Sequence, residues 1–431
     1  MGPSGGRTRS RPATERWPSW TKEGWQSCFC HPSFACRPRE LQTTTHQGST
    51  SDFLRLTALE SSLSLPIEAR IPAGSPTDVR ARSPRQVLEQ LLTSAAAGKR
   101  RYVMFSGGRD SSAILAAAVH AARSSGDDDP IPVILRYPGD PAAEETDWQE
   151  LVLKHLGLKN QRVVEIRTEE RLLGVPATRA MLRHGVVWPT ALQLRDASYA
   201  ELAPGVLITG EGGDYLFTPH RITPLRNLLL RPHIPNRAEL RNAANGAFPG
   251  RLDRIPPWVS PWLRGHAVEA YRDAITRLRR TPLSWREHTL RIYDAPADVV
   301  VWHNHPLVVR EYGLEPLNPF LHPSFVSALA RAGGFLGYAD RTHAMRVLFH
   351  DLLPDEILRR ESKAAFNSSR WGETEREFAH DWDGSGVDPE FIDAETLRQA
   401  WLSNQHPPGA DYQIQLAWAR SQGIDTPLAP D

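Results

Sequence analysis

Four short apolar runs mark the first half of the chain: YVMF at 102–105, IPVILRYPG from 131, VVEI at 163–166 and VLIT at 206–209. Runs this short and this continuous are the pattern of strands buried on both faces. The segments between them carry apolar residues at helical spacing. In 84–98, Val87, Leu88, Leu91 and Leu92 line one side of a helix ending near Gly98. Alanine-rich AILAAAVHAAR follows the first run, Trp148–Leu156 precedes the third, and Leu172–Gly185 is a further helical stretch with a break expected at Pro176. Strands alternating with helices predict an α/β fold with a doubly wound parallel sheet. Beyond it, 219–283 reads as irregular helical cover rich in Arg, Pro and Trp. Helical periods run over 284–305 and 323–352, and the tail from 373 places Trp382, Trp401 and Trp418 in helices. Residues 1–50 show neither period and read as disordered.

The turns after two of these strands carry the chemistry. SGGRDSS at 106–112 stands between the first strand and its helix. Gly107 and Gly108 let the backbone turn sharply and approach an anion, the helix start offers N–H groups, and Ser106, Ser111 and Ser112 add hydroxyls. Asp110 would repel a bare phosphate, so a cation, most simply Mg²⁺, is expected beside it. GEGGD at 210–214 follows the fourth strand, placing Asp214 on the same edge. The chain has no G-x-x-x-x-G-K-[ST] loop, which excludes the usual kinase or GTPase cradle.

SGGRDSS resembles the S-G-G-x-D-S pyrophosphate-binding loop of the adenylating synthetases. VLITGEGGDYLF at 206–217 resembles the G-E-G-[SG]-D-E-L-F signature of the synthetase domain of glutamine-hydrolysing asparagine synthetase, and LPDEILRRESKAAF at 353–366 resembles that family's L-P-x-x-[IL]-L-x-R-x-x-K-x-x-F. The resemblance spans roughly residues 85–375. It implies a PP-loop synthetase fold that splits ATP to AMP and pyrophosphate while joining a carboxylate to an amine. Carried over to this sequence, the ATP site is Ser106, Gly107, Gly108, Asp110, Ser111, Ser112, Leu135, Thr209, Gly210 and Arg360, with Asp110 and Asp214 on Mg²⁺. Glu211 is the candidate base for the attacking amine and Lys363 the cation for the α-phosphate and the acyl oxyanion. Glu315, in GLEPLNPFL, is similar to the glutamate of G-[VL]-E-x-R-x-P-F-L-D and would support Glu211. Leu317 and His322 replace that motif's arginine and aspartate, so the acid pocket is not expected to be built for aspartate. Tyr215 replaces the glutamate of G-D-E-L-F.

The family's N-terminal glutaminase uses a cysteine at residue 2; here residue 2 is Gly2, and the glutaminase is expected to be absent, or at most a remnant around 52–82. The expected layout is 1–83 as a disordered segment or remnant, 84–375 as the synthetase domain and 376–431 as a helical extension packed on it. A chain without glutaminase resembles the β-lactam synthetases and the lasso-peptide macrolactam cyclases, which implies a peptide or natural-product acid, with a separate ammonia donor or a leader-peptide-binding partner as further candidates.

Composition narrows the alternatives. Net charge is +1, which argues against nucleic acid, and no apolar run reaches the ~18–20 residues of a membrane span. Cys28, Cys30 and Cys36 all lie in the first tenth of the chain. With His31 they fit no common zinc spacing, and a reduced, cytoplasmic setting is expected. A sulfur-transfer enzyme acting on tRNA would want cysteines near the active edge. A non-catalytic protein that keeps the fold is the remaining alternative. In the WHNH run, His303 and His305 stand two apart on a helix and diverge, so they read as packing or substrate-facing groups rather than a metal site.

Overall fold

The computed structural model describes residues 52–68, 82–95, 97–230, 234–248, 258–361 and 368–430. The cysteines, His31 and Lys363 lie outside the described residues. Five strands form one sheet: β1 (Arg101–Met104), β2 (Ile131–Arg136), β3 (Arg162–Glu165), β4 (Gly205–Ile208) and β5 (Leu314–Leu317). The order is β3-β2-β1-β4-β5 and every pairing is parallel. Tyr102 lies opposite Ile131 on one side and Leu207 on the other. The first four strands are the four apolar runs. β5 is the unexpected one. Its LEPL has no apolar run, and it tolerates Glu315 and Pro316 because it is an edge strand, where a missing N–H and an exposed side chain cost little.

Alternation along β1 sends Val103 and Phe105 into one core and Tyr102 into another. The first core is built on helices Pro84–Ser94 and Arg109–Ser125, the second on Tyr199, Leu207 and Val309. Both faces of the sheet are therefore covered, as continuous apolar strands require. The alanine run of helix Arg109–Ser125 has a packing reason: the nine residues after Asp110, Ser111 to Val119, are all small or aliphatic and all buried, so the helix can lie close over the sheet. Pro176 does not break its segment. It sits in the first turn of helix Val175–His184, where its missing N–H would have no intrahelical partner anyway.

A separate core gathers Trp262, Trp371, Trp382 and Trp401 around helices Glu373–Asp381, Ala394–Leu402 and Ala410–Ser421. Residues 53–65 close it. Helix Ala58–Leu63 begins with a capping box between Thr57 and Glu60. Gln413 donates to the carbonyl of Ser61 at 2.6 Å and to Ser64 Oγ at 2.8 Å, and Ala429 N–H donates to the Leu56 carbonyl at 2.9 Å.

Candidate active site

The chain leaves β1 for β2 and β3 on one side, then returns to β4 on β1's other flank. The reversal opens a crevice between the carboxyl ends of β1 and β4. The loop 106–112 hangs from β1 and the loop 209–214 from β4, so the two stretches singled out in the sequence face each other there.

The first loop is held by its own hydroxyls. Ser106 Oγ lies 3.1 Å from Ser111 Oγ and accepts from Gly108 N–H at 3.3 Å. Ser111 Oγ donates to the Gly108 carbonyl at 3.1 Å. Ser112 is fully buried, its hydroxyl 3.5 Å from the Gly107 carbonyl, so it shapes the loop from beneath. Gly107 has φ +84°, the left-handed region that favours glycine, and a Cβ there would stand 3.1 Å from Gln149. Gly108 begins the helix with no side-chain cap, leaving the first-turn N–H groups open to an anion.

The second loop packs directly on the first. A Cβ on Gly213 would lie 2.5 Å from Asp110 Cγ, and one on Gly210 would lie 3.1 Å from Ser111 N. Glycine at 213 is thus required by the approach of the Asp110 carboxylate. Gly213→Ala is expected to cost about 1–3 kcal/mol by overpacking, read as a lowered Tm, and to weaken nucleotide binding more than a distant substitution of equal cost.

Asp110 and Asp214 converge, as expected, but on an arginine that sequence reasoning passed over. Arg341, the first residue of helix Arg341–Phe349, donates one nitrogen to Asp110 Oδ2 and the other to Asp214 Oδ1 at 2.6 Å. Burial opposes its charge, but the two carboxylates override that and hold its pKa above the ordinary value. Arg109 lies beside it, its guanidinium 3.4 Å from Thr342 Oγ1. Burial, and then Arg341, lower the pKa of Arg109. The only signal in the sequence was indirect: two carboxylates on one sheet edge demand a counter-charge.

Arg360 departs from its expected role. It is almost wholly buried, donates to the Gly107 carbonyl at 2.8 Å, pairs with Glu145 at 2.6 Å and stacks over Trp148 at 4.6 Å. It braces the phosphate loop from behind rather than facing a phosphate. Glu315 also stands apart. Its side chain is exposed and pairs with Lys99 at 2.7 Å, away from Glu211. Leu135 packs in the core behind the sheet with Tyr102 and Tyr137. Thr209 donates to Asn318 Oδ1 at 2.6 Å and accepts from Glu211 N–H at 3.3 Å, fixing the start of the loop.

Glu211 instead meets His305. The two histidines diverge as their spacing requires. His303 reaches out to the Asp52 carbonyl at 2.8 Å, and His305 turns inward, 1% exposed. Its Nε2 is 3.1 Å from Tyr199 Oη and its Nδ1 is 3.6 Å from Glu211 Oε2. That last gap is too long for a hydrogen bond, and both atoms are buried without a hydrogen-bond partner. Burial lowers the His305 pKa, with Glu211 pulling the other way. A neutral imidazole beside a carboxylate is a pair that can take and pass on a proton.

Among the described residues no group of three or more His, Cys, Asp or Glu could hold a metal ion. The carboxylate pair nevertheless fits Mg²⁺ in kind. Both are hard oxygen donors, and they converge closely enough for one guanidinium to span them, so a single cation would complete its shell from water and phosphate oxygens. No helix among the described residues is long and apolar enough to cross a membrane.

The family model described as asparagine synthase matches residues 85–422, well over half of the chain. The chain belongs to the asparagine synthase family. Its members are ATP-dependent ligases that form amides. Among solved structures, the NAD+ synthetase from Burkholderia pseudomallei is similar at 17% identity, covering 58% of this chain and 94% of that chain with a TM-score of 0.21. No curated protein matches. The fold assignment itself rests on the parallel strand order and on the two loops at the switch point.

Proposed function

We propose that this asparagine-synthase-family protein adenylates a substrate carboxylate with ATP, releasing pyrophosphate, and then couples the acyl group to an amine with release of AMP. The observation that supports this most directly is the meeting of the two glycine-rich loops across the β1–β4 crevice, with Asp110 and Asp214 sharing one cation there. The open amides at the start of helix Arg109–Ser125 and the Ser106 and Ser111 hydroxyls would hold the pyrophosphate. Asp110 and Asp214 would hold Mg²⁺, which when bound neutralises the charge developing on that leaving group. Arg341 must then give up the carboxylates, and its charge becomes available to the phosphates. Glu211 would take the proton of the attacking amine, with His305 positioned behind it. Lys363 would stabilise the acyl oxyanion.

The substrate we propose is a peptide or small natural-product acid, with amide or macrolactam formation as the outcome. A separate ammonia donor or a leader-binding protein would enter as a partner. One observation favours a non-catalytic reading: Arg341 already satisfies the carboxylates that would hold the metal.

Thermal unfolding separates the two readings. With Mg²⁺ and a non-hydrolysable α,β-methylene ATP analogue at a hundredfold excess over Kd, the ligase reading expects stabilisation of about 2.7 kcal/mol. It also expects that stabilisation to vanish in Asp110→Ala and Asp214→Ala. A folded protein that shows no shift at millimolar nucleotide supports the non-catalytic reading instead.

A further inference from the structure

A cavity of about 460 Å³ lies between helix Ala58–Leu63, the loop 386–392, helix Ala410–Ser421 and the tail at Leu428. None of the residues that build the β1–β4 crevice lines it. Its volume falls within the roughly 300–1,000 Å³ of pockets that enclose a whole small molecule. Val387, Ile392, Leu416 and Leu428 supply apolar wall. Two side chains of opposite charge, Asp388 and Arg420, share that wall.

The two charges do not close on each other. Among the described residues neither makes an ion pair, and each is held by neutral groups instead. Arg420 donates from Nε to Thr426 Oγ1 at 3.1 Å and from Nη1 to the Gly386 carbonyl at 2.6 Å. A Cβ on Gly386 would stand 3.3 Å from Arg420 Cβ, so the loop lies directly against the helix at this point. Asp388 Oδ1 accepts from Glu390 N–H at 2.8 Å, and its Oδ2 accepts from no described residue. A guanidinium and a carboxylate are thus fixed in place with both charges still open. Burial lowers the pKa of Arg420, as suits a guanidinium short of an anionic partner. Gln413 is fully buried and also lines the cavity. Its Nε2 is taken by oxygens of Ser61, Ser62 and Ser64, and its Oε1 is buried without a partner.

We propose that this cavity is a second ligand site, and that it takes a zwitterion with an apolar body about the size of a dipeptide. The ligand carboxylate would lie on Arg420, its ammonium on Asp388, and its side chains against Ile392, Leu416 and Leu428. Two of the five N–H donors of Arg420 are used within the fold, so three remain for a carboxylate. Asp388 Oδ2 is the matching acceptor for an ammonium. A plain fatty acid would set its charge against Asp388, and a plain amine would set its charge against Arg420. A molecule with both charges satisfies both residues, and the apolar wall adds the burial of its side chains. Such a ligand touches all four segments of the cavity at once, so its binding also raises the stability of the fold. The site goes beyond the proposed ligation and does not rest on it.

Isothermal titration on the full chain, without ATP or Mg²⁺, tests the site with three probes. These are L-leucyl-L-leucine, its N-acetyl derivative, which lacks the ammonium, and its C-terminal amide, which lacks the carboxylate. Leucyl-leucine is expected to bind roughly 10- to 100-fold more tightly than either derivative. In Asp388→Asn, which keeps an acceptor for Glu390 N–H, the loss caused by acetylation should disappear and the loss caused by the amide should remain. In Arg420→Met the pattern should reverse. Equal binding of the three probes, no binding of leucyl-leucine at millimolar concentration, or an acetylation loss that survives in Asp388→Asn overturns the site. An unchanged Tm shows that Asp388→Asn is folded. Arg420→Met also loses its bonds to Gly386 and Thr426, so if it fails to fold the Asp388→Asn arm alone decides.

Discussion

Arg360→Ala is expected to destabilise the protein by about 3–5 kcal/mol, the largest effect of any single side chain in the site. The reason is that it strands Glu145. Both partners are almost inaccessible, with side-chain exposures of 3% and 6%, and the pair sits directly behind the phosphate loop. Removing the guanidinium leaves a buried carboxylate, frees the Gly107 carbonyl and takes the cation from the face of Trp148. Denaturant unfolding of the single and double variants checks this. Arg360→Met with Glu145→Leu should recover much of the loss, because an apolar pair of similar volume carries no unpaired charge. If Arg360 served only a bound phosphate, Arg360→Ala would leave the stability of the free protein unchanged.

The largest effect on activity is expected at the carboxylate pair. Asp110→Asn and Asp214→Asn should each lower pyrophosphate release on the order of 10²–10³-fold or more, measured with an acid the wild type accepts. They differ from an ordinary loss of a ligand because Arg341 remains. With one carboxylate neutral, its charge is half-compensated and stands closer in effect to Arg109, which already feels it. Some loss of stability should accompany the loss of rate. Arg341→Met separates the roles. If Arg341 only balances charge until metal and nucleotide arrive, Arg341→Met should bind Mg²⁺ more tightly than wild type, read by metal-dependent thermal shift. If it serves the phosphates, nucleotide binding should weaken in the same variant.

How legible this site was depends on where each signal resided. Asp110 and Asp214 were readable because each follows an apolar run and a glycine turn, and a parallel sheet carries all such turns to one edge. Arg341 and His305 were not readable, since each acquires its meaning from a residue about 90 to 230 positions away. Nothing in RTHAMR or in WHNH marks one side chain over the next. Arg360 and Glu315 show the opposite limit. A motif fixes residue type and approximate place, but not which way a side chain faces. At 360 a buried carboxylate captured the arginine, and at 315 an edge strand turned the glutamate toward Lys99. β5 escaped notice for the same local reason: an edge strand has no need of the apolar run that betrays a central one.

The docking of residues 53–65 on the C-terminal helices has a consequence for how the molecule opens. Gln413, Tyr412 and Ala429 bind Ser61, Ser64 and Leu56 across almost the whole length of the chain, so the first described helix and the last one cannot exchange their amides independently. They form one cooperative unit stitched from both ends of the described residues. A fragment cut at residue 84, where helix Pro84–Ser94 begins, would keep every described strand and every phosphate-loop residue. It would also leave the tryptophan-rich core without its cover, and so would have to be judged as an opened protein rather than a shortened one.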